Sequence, residues 1–110
     1  MRAATWYFDF ISPFAYISLH RLKELPSNVA IEYRPVLFAG ILQHWGQKGP
    51  AEITPKRVWT YRQVAWLARQ QGTTLELPRP HPFNPLALQR LALASAPAGG
   101  LPNRRGVELL

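Results

Sequence analysis

The residues best suited to chemistry stand at one junction near the N-terminus. The stretch 6–11 is aromatic and apolar, which is typical of a buried strand, and Ser12-Pro13 is a strong helix-start signal. We predict Ser12 as the N-cap, whose oxygen accepts a backbone hydrogen bond while its own hydrogen stays available. Pro13 at the first helical position loses nothing, because that N–H has no partner within a helix. A hydroxyl at the positive end of a helix could hold an anion such as a thiolate or phosphate.

Ser12 also has a purely structural interpretation, since a Ser-Pro pair before an amphipathic run is commonly only a cap. Capping and ligand binding are compatible. A nucleophilic serine needs a base and an orienting acid. None of His20, His44 and His81 has a spacing that places it beside the hydroxyl. We therefore predict that Ser12 donates a hydrogen bond and does not attack a substrate.

Two further places could contact an anionic ligand. Lys56 and Arg57 fall in the first turn of a predicted helix, where positive charge opposes the helix dipole by ~0.3–1 kcal/mol each. Such local conflicts often mark functional sites, although both side chains could simply be solvated or paired with Glu52. Gln47 and Lys48 lie between glycines in a loop that is either ligand-facing or an ordinary surface turn.

Composition restricts the possible chemistry. The 110 residues include no cysteine, so any thiol chemistry must use a thiol supplied by a ligand. Thirteen Lys and Arg against six Asp and Glu give a formal charge of +7, which favours a nucleic acid, a membrane surface or a small acidic molecule. The scattered histidines predict no metal site. No apolar run could span a bilayer and no signal pattern is present, so we expect a cytoplasmic protein.

Periodicity predicts an α/β chain. We expect a strand over 5–11, a helix over 12–25 and a strand over 29–38, in which Pro35 marks an edge or exit. Strand, helix and strand within about 35 residues form a parallel βαβ unit. The helix should bury one side. That side carries Phe14, Ile17, Leu22 and Leu25.

Further helices are predicted over 39–45, 54–71 and 86–95. Thr54-Pro55 repeats the helix-start signal, and Gly72 should end the second of these helices in a left-handed conformation. Trp45, Trp59 and Trp66 are predicted as core or cleft-wall aromatics. The Pro-Gly-rich, basic stretch 96–110 is expected to be irregular. With only two strands visible, the sheet is marginal on its own.

Four blocks of sequence resemble the 2-hydroxychromene-2-carboxylate isomerases, which belong with kappa-class glutathione transferases in the DsbA-like branch of the thioredoxin superfamily. The resemblance covers about residues 5–95. The matching blocks are Phe8–Tyr16, Arg34–Gly40, Gly46–Arg57 and His81–Leu86.

The resemblance implies a thioredoxin-like βαβ unit over 1–38, an all-helical insertion over 39–95 that forms a lid, and a tail over 96–110. Members of this family are about twice as long, so we expect the C-terminal half of the thioredoxin fold to be missing. Their remaining strands, a cis-proline loop and a Ser-Asp pair that grips glutathione lie in that half. On this comparison glutathione binding should be weak, and catalysis could be absent.

The resemblance also implies glutathione as cofactor and a homodimer. Ser12 stands where a disulfide oxidoreductase has its first cysteine and would hydrogen-bond the glutathione sulfur, with Pro13 and Phe14 beside it. Lys56 matches a lysine that contacts glutathione or the substrate carboxylate. Gln47 stands where relatives usually carry Asn, so its reach differs.

The implied reaction is a glutathione-dependent isomerisation of an aromatic carboxylate. The thiolate adds to the conjugated substrate, the bond made single rotates, and elimination opens the ring. Three alternatives stay open: a kappa-like transferase acting on another electrophile, a basic module that binds nucleic acid or an anionic surface, and a remnant that folds only with a partner. Because the basic residues are spread over every segment, we expect no nucleic-acid or membrane partner.

Overall fold

The computed structural model describes residues 2–96 and 100–110, and these form a mixed α/β structure, as predicted. No helix within these residues is long and apolar enough to cross a membrane. The elements in chain order are β1 (Arg2–Phe8), α1 (Pro13–Leu22), β2 (Val29–Pro35), α2 (Phe38–His44), a 3₁₀ turn (Pro50–Glu52), α3 (Thr54–Gln71), α4 (Leu86–Ala94) and α5 (Arg104–Glu108).

The two strands within the described residues form one parallel sheet. The register places Ala4 opposite Ile31 and Trp6 opposite Tyr33. Because parallel strands need a crossover connection, α1 joins them and confirms the predicted βαβ unit. The second strand ends at Pro35, the residue expected to mark its exit. The first strand begins and ends three residues earlier than predicted, because the chain turns after Phe8 toward the start of α1.

Helix α1 contributes to two hydrophobic clusters. Leu19 belongs to the first and Ile17 to the second, and residues two apart point to nearly opposite sides of a helix. The first, called the sheet cluster, consists of Phe8, Leu19, Tyr33 and Val107. The second, called the helical cluster, consists of Ile17, Val64 and Ala68. Helix α1 therefore joins the sheet to α3.

The prediction of a single buried side on α1 is wrong for this reason. Phe14 and Leu25 are exposed, and Leu25 lies beyond the end of the helix. The helix ends at Leu22, three residues earlier than expected. A helix that packs on two sides does not show one apolar stripe in its sequence.

Helix α3 spans Thr54–Gln71, and its end is the predicted one. Gly72 has φ of 71°, the left-handed conformation that glycine adopts without a steric penalty. Its start differs slightly, since Ile53 is the N-cap and Thr54 is already helical, with no side-chain cap bond. The helix reaches α1 through Gln71, whose amide donates to the Ile17 carbonyl at 3.0 Å.

The C-terminal stretch contains a short helix, which corrects the expected irregular tail of 96–110. Asn103 caps α5 by accepting a hydrogen bond from the Gly106 N–H at 2.8 Å. Val107 is buried in the sheet cluster. A five-residue helix is too short to show a periodic pattern, so tertiary contacts decide its formation. Residues 97–99 of this stretch lie outside the described residues.

Helix α5 also brings charge close to the sheet. Burial raises the pKa of the Tyr33 phenol, and Arg104 of α5 lowers it to a smaller extent. Arg104 pairs with Glu108 across one turn at 3.1 Å. Apolar and charged residues of α5 therefore both lie against β2. The predicted boundaries between 38 and 39 and between 95 and 96 stay predictions.

Candidate functional site

Ser12 is the N-cap of α1, as its sequence context predicts. Its backbone is extended, and its Oγ accepts a hydrogen bond from the Ala15 N–H at 3.2 Å. Pro13 occupies the first helical position, and no acidic residue lies in the first turn. The positive end of the helix dipole is therefore not neutralised by the chain itself at this point.

Two hydrogen-bond donors remain available at the start of α1. Within residues 2–96 and 100–110, no acceptor takes the Ser12 hydroxyl hydrogen or the Phe14 N–H. The Pro13 nitrogen carries no hydrogen, so these two donors are the ones that the first turn can offer to an anion. The Phe14 side chain itself is 37% exposed.

Ser12 and Pro13 line a cavity of about 790 Å³, a volume within the range of small-molecule sites, ~300–1,000 Å³. Aromatic side chains form much of its wall. These are Trp6, Phe8, Phe10, Tyr16 and Phe83. Charged residues of both signs also line it: Lys23 at the end of α1, and the acidic residues Asp9, Glu76 and Glu108. The aromatic walls can receive a planar apolar group, and an anion would have to lie near the start of α1 and away from these carboxylates.

The other predicted site residues lie apart from this cavity. Phe14 does not line it with its neighbour Pro13. Gln47 is exposed in the loop after α2, and Lys56 is exposed in the first turn of α3; neither lines the cavity. Glu52 accepts a hydrogen bond from the Gly49 N–H at 2.7 Å, which places its carboxylate in a local turn. The structure thus brings together Ser12 and Pro13 and leaves the other three outside.

The three tryptophans predicted as core or cleft-wall residues are exposed, which corrects that prediction. Trp45 is 70% exposed, Trp59 62% and Trp66 52%. Trp59 and Trp66 lie on the outer face of α3, opposite the buried Val64. Trp59 and Trp66 are seven residues apart, a spacing that places both on one face of the helix, but that face is directed away from the helical cluster.

A buried carboxylate supports the backbone that precedes Ser12. Asp9 is 4% exposed, and its Oδ2 accepts from the Phe38 N–H at 2.8 Å. Its Oδ1 accepts from the Ile11 N–H at 3.1 Å and from the Gln89 amide at 2.7 Å. Asp9 therefore ties the end of β1 to the starts of α2 and α4. No local pattern indicates this role, because Gln89 is 80 residues away in sequence.

His81 lies next to the Ile11–Ser12 peptide bond, where it contacts the Ile11 carbonyl; no hydrogen bond joins it to the Ser12 hydroxyl among the described residues. It belongs to the connector, residues 73–85, between α3 and α4. Its Nε2 is 2.9 Å from the Ile11 carbonyl oxygen, and its Nδ1 is 2.7 Å from the Tyr61 hydroxyl. His81 also lines the cavity. The contact spans 70 residues, so spacing along the chain could not reveal it.

Comparison with known families gives one match. The model for the DSBA-like thioredoxin domain matches residues 5–108. The chain belongs to the DsbA-like thioredoxin family. Searches of curated proteins and of solved structures found no match.

Membership of the DsbA-like family extends what the resemblance covered. The match continues 13 residues beyond position 95 and includes α5, so this segment belongs with the rest of the domain. The DsbA-like family includes oxidoreductases and isomerases. A chain without cysteine has no dithiol of its own, so its Ser12 site must act on a thiol from another molecule or on none.

Proposed function

We propose that this DsbA-like chain binds glutathione at the start of α1 and stabilises its thiolate with the Ser12 hydroxyl. The observation that carries the proposal is the hydrogen bonding of the Ser12 hydroxyl. Its oxygen caps the helix through Ala15, and its hydrogen is directed to no acceptor among the described residues. Ser12 also lines the cavity that would hold the ligand.

The physical effect of such a site is to lower the pKa of a bound thiol. A free thiol titrates near ~8.5, and a helix N-terminus together with a hydrogen-bond donor favours the charged form. The first turn of α1 adds no acidic side chain, and the carboxylate of Asp9, which lines the same cavity and opposes the effect, is occupied by three hydrogen-bond donors. A larger thiolate fraction at neutral pH makes bound glutathione a better nucleophile.

The reaction we propose is the isomerisation of 2-hydroxychromene-2-carboxylate or a related aromatic carboxylate. The ring C–O bond breaks as the 2-hydroxyl becomes a ketone and its proton passes to the phenol oxygen. The thiolate adds to the conjugated carbon, the bond that has become single rotates, and elimination returns the thiolate and the ring-opened isomer. Atoms and electrons balance without an oxidant. The aromatic walls of the cavity suit a planar substrate. Transfer of glutathione to another electrophile would begin at the same thiolate and differ in keeping the sulfur–carbon bond.

Titration calorimetry with glutathione tests the proposal on a series of Ser12 variants. Ser12→Thr keeps both the cap and the hydroxyl and should bind like the wild type. Ser12→Ala should weaken binding about ten-fold, because a hydrogen bond to a charged group contributes ~1.5–3 kcal/mol. Ser12→Asp keeps the cap but repels an anion, so it should retain stability and lose binding.

Ser18→Ala is the matched control, because Ser18 is exposed further along the same helix. A wild-type chain that melts cooperatively and binds no glutathione would refute the proposed function. The same titration of Lys56→Ala tests the proposed contact of Lys56 with glutathione or the substrate carboxylate. For an exposed ion pair a loss of about three-fold is expected.

We propose single-stranded nucleic-acid binding as a second candidate function, on one observation. The exposed Trp59 and Trp66 share the outer face of α3 with the exposed Arg62 and Arg69. Aromatic faces that stack on bases and cations that contact phosphates are the combination such binding requires. The formal charge of +7 also favours it.

Fluorescence anisotropy with a labelled oligonucleotide tests this second candidate. Affinity should fall steeply with salt, and the double variant Trp59→Ala, Trp66→Ala should weaken it at least about thirty-fold, since stacking contributes ~1–3 kcal/mol per base and two rings are removed. Trp45→Ala is the control, because Trp45 is equally exposed but lies after α2. Absence of binding at low salt would eliminate this function and leave the first untouched.

A further inference from the structure

A chain of hydrogen bonds leads from α3 through His81 to the peptide bond that precedes Ser12. The Tyr61 hydroxyl lies 2.7 Å from His81 Nδ1, and His81 Nε2 lies 2.9 Å from the Ile11 carbonyl oxygen. Tyr61 and His81 are both half-buried. Arg57 donates to the His81 carbonyl at 3.0 Å, which also holds the backbone of the connector at this point.

The chemistry of these groups determines which ring nitrogen of His81 carries hydrogen. A carbonyl oxygen only accepts, so Nε2 must donate to Ile11. In a neutral ring Nδ1 is then the acceptor. The Tyr61 hydroxyl has two acceptors within reach, Nδ1 at 2.7 Å and the His81 carbonyl oxygen at 3.3 Å, and the shorter contact assigns its hydrogen to Nδ1. Tyr61 therefore favours the tautomer that can hold the Ile11 carbonyl.

The Ser12 peptide is held on both of its sides. Its carbonyl, from Ile11, accepts from His81, and its N–H donates to the Asp9 carbonyl at 3.0 Å. With both groups of the peptide fixed, the direction of the Ser12 Cα–Cβ bond is restricted. The capping bond from the Ala15 N–H then selects the position of Oγ.

We propose that His81 is a positioning residue, which holds the Ile11–Ser12 peptide so that the Ser12 hydroxyl hydrogen is directed into the cavity. The expected effect of His81 on glutathione affinity rests on the proposed function. Its hold on the Ile11–Ser12 peptide does not depend on that function. A residue of the helical part of the chain thereby sets the geometry of the site at the start of α1.

Three variants separate this role from simple packing. His81→Phe keeps a planar ring but removes both nitrogens, so it should weaken glutathione binding about five- to ten-fold. His81→Gln can still donate from a terminal amide to the Ile11 carbonyl and should recover most of the loss. Tyr61→Phe removes only the hydroxyl that selects the tautomer, and a loss of about two-fold is expected. His44→Phe is the control, because His44 is exposed in α2.

Two NMR readouts do not depend on ligand binding. The ¹⁵N shifts of the His81 ring should show Nε2 protonated and Nδ1 unprotonated in the wild type, and a mixture of tautomers in Tyr61→Phe. Hydrogen exchange of the Ser12 and Ala15 amides should accelerate in His81→Phe and return toward the wild-type rate in His81→Gln.

The outcomes distinguish this proposal from the proposed function. Wild-type chain that binds no glutathione refutes the function, while the exchange rates and the tautomer still decide the role of His81. Protonated Nδ1 in the wild type, or unchanged Ser12 and Ala15 exchange in a folded His81→Phe chain, would overturn the positioning role. If the wild type does bind glutathione, an equal affinity of His81→Phe would overturn it as well.

Discussion

Replacement of Asp9 by alanine is expected to lower the free energy of unfolding by about 3–5 kcal/mol. The carboxylate is 4% exposed and accepts from two backbone N–H groups and one side-chain amide. Its removal leaves one buried donor, from Gln89, and two part-buried donors, from Ile11 and Phe38, without an acceptor. A buried donor left in this way costs ~1–3 kcal/mol, and water relieves part of the loss at the other two. The Gln89 amide still donates to the Val36 carbonyl at 2.8 Å, which limits its contribution to the loss of stability.

Asp9→Asn sharpens this test because it keeps the volume of the side chain. One of its terminal atoms becomes a donor and must face a donor from Phe38, Ile11 or Gln89, so a loss of about 2–3 kcal/mol is expected. Glu24→Ala is the control, since Glu24 is exposed and forms only a surface ion pair with Arg21 at 3.4 Å. It should change stability by less than about 0.5 kcal/mol. Urea unfolding followed by circular dichroism measures the free energy of unfolding of all three variants. A loss below about 1 kcal/mol for Asp9→Ala would contradict the role of Asp9 in tying β1 to α2 and α4.

Replacement of Val107 by aspartate is expected to destabilise the chain by at least about 3 kcal/mol. Val107 is 4% exposed and packs with Phe8, Leu19 and Tyr33 in the sheet cluster. A carboxylate placed there loses its hydration without gaining a partner, which costs several kcal/mol unless α5 leaves the sheet. Val107→Ala should cost less, about 1.5–2.5 kcal/mol, because it removes only apolar volume.

The neighbouring Leu109 offers the control for this prediction. Leu109 is 75% exposed, so Leu109→Asp adds the same charge two residues away and should stay within about 0.5 kcal/mol of the wild type. Thermal unfolding monitored by near-ultraviolet circular dichroism reports on the aromatic rings of the sheet cluster. Equal melting of Val107→Asp and Leu109→Asp would mean that α5 does not pack against the sheet.

Short-range sequence signals correctly predicted that α1 begins at Ser12-Pro13. Ser12 and Pro13 are sufficient to place a helix N-terminus at the end of a strand, because capping and the missing proline N–H act within one turn. Gly72 likewise ends α3 where a left-handed residue was expected. The pairing of β1 with β2 followed from the length of the connection between them.

Contacts between distant residues were not predictable in the same way. His81 reaches Ile11, and Gln89 reaches Asp9, across separations of 70 and 80 residues that leave no periodic trace. Residues Ile17 and Leu19 are buried on different sides of α1, which removes the single stripe from which burial is usually inferred. The short helix α5 depends on the packing of Val107 in the sheet cluster. Apart from the Asn103 cap, its sequence contains no pattern that predicts a helix.

The double role of α1 makes it a thermodynamic link between the two clusters. Undocking of α3 would uncover Ile17, and undocking of the sheet would uncover Leu19, so either event weakens the same ten-residue helix. Any molecule bound at its N-terminus adds RT ln(1 + [L]/Kd) to the stability of that helix. A ligand bound at Ser12 would therefore lower the population of locally opened states in both β2 and α3. Hydrogen-exchange protection would then increase in elements that do not contact the ligand.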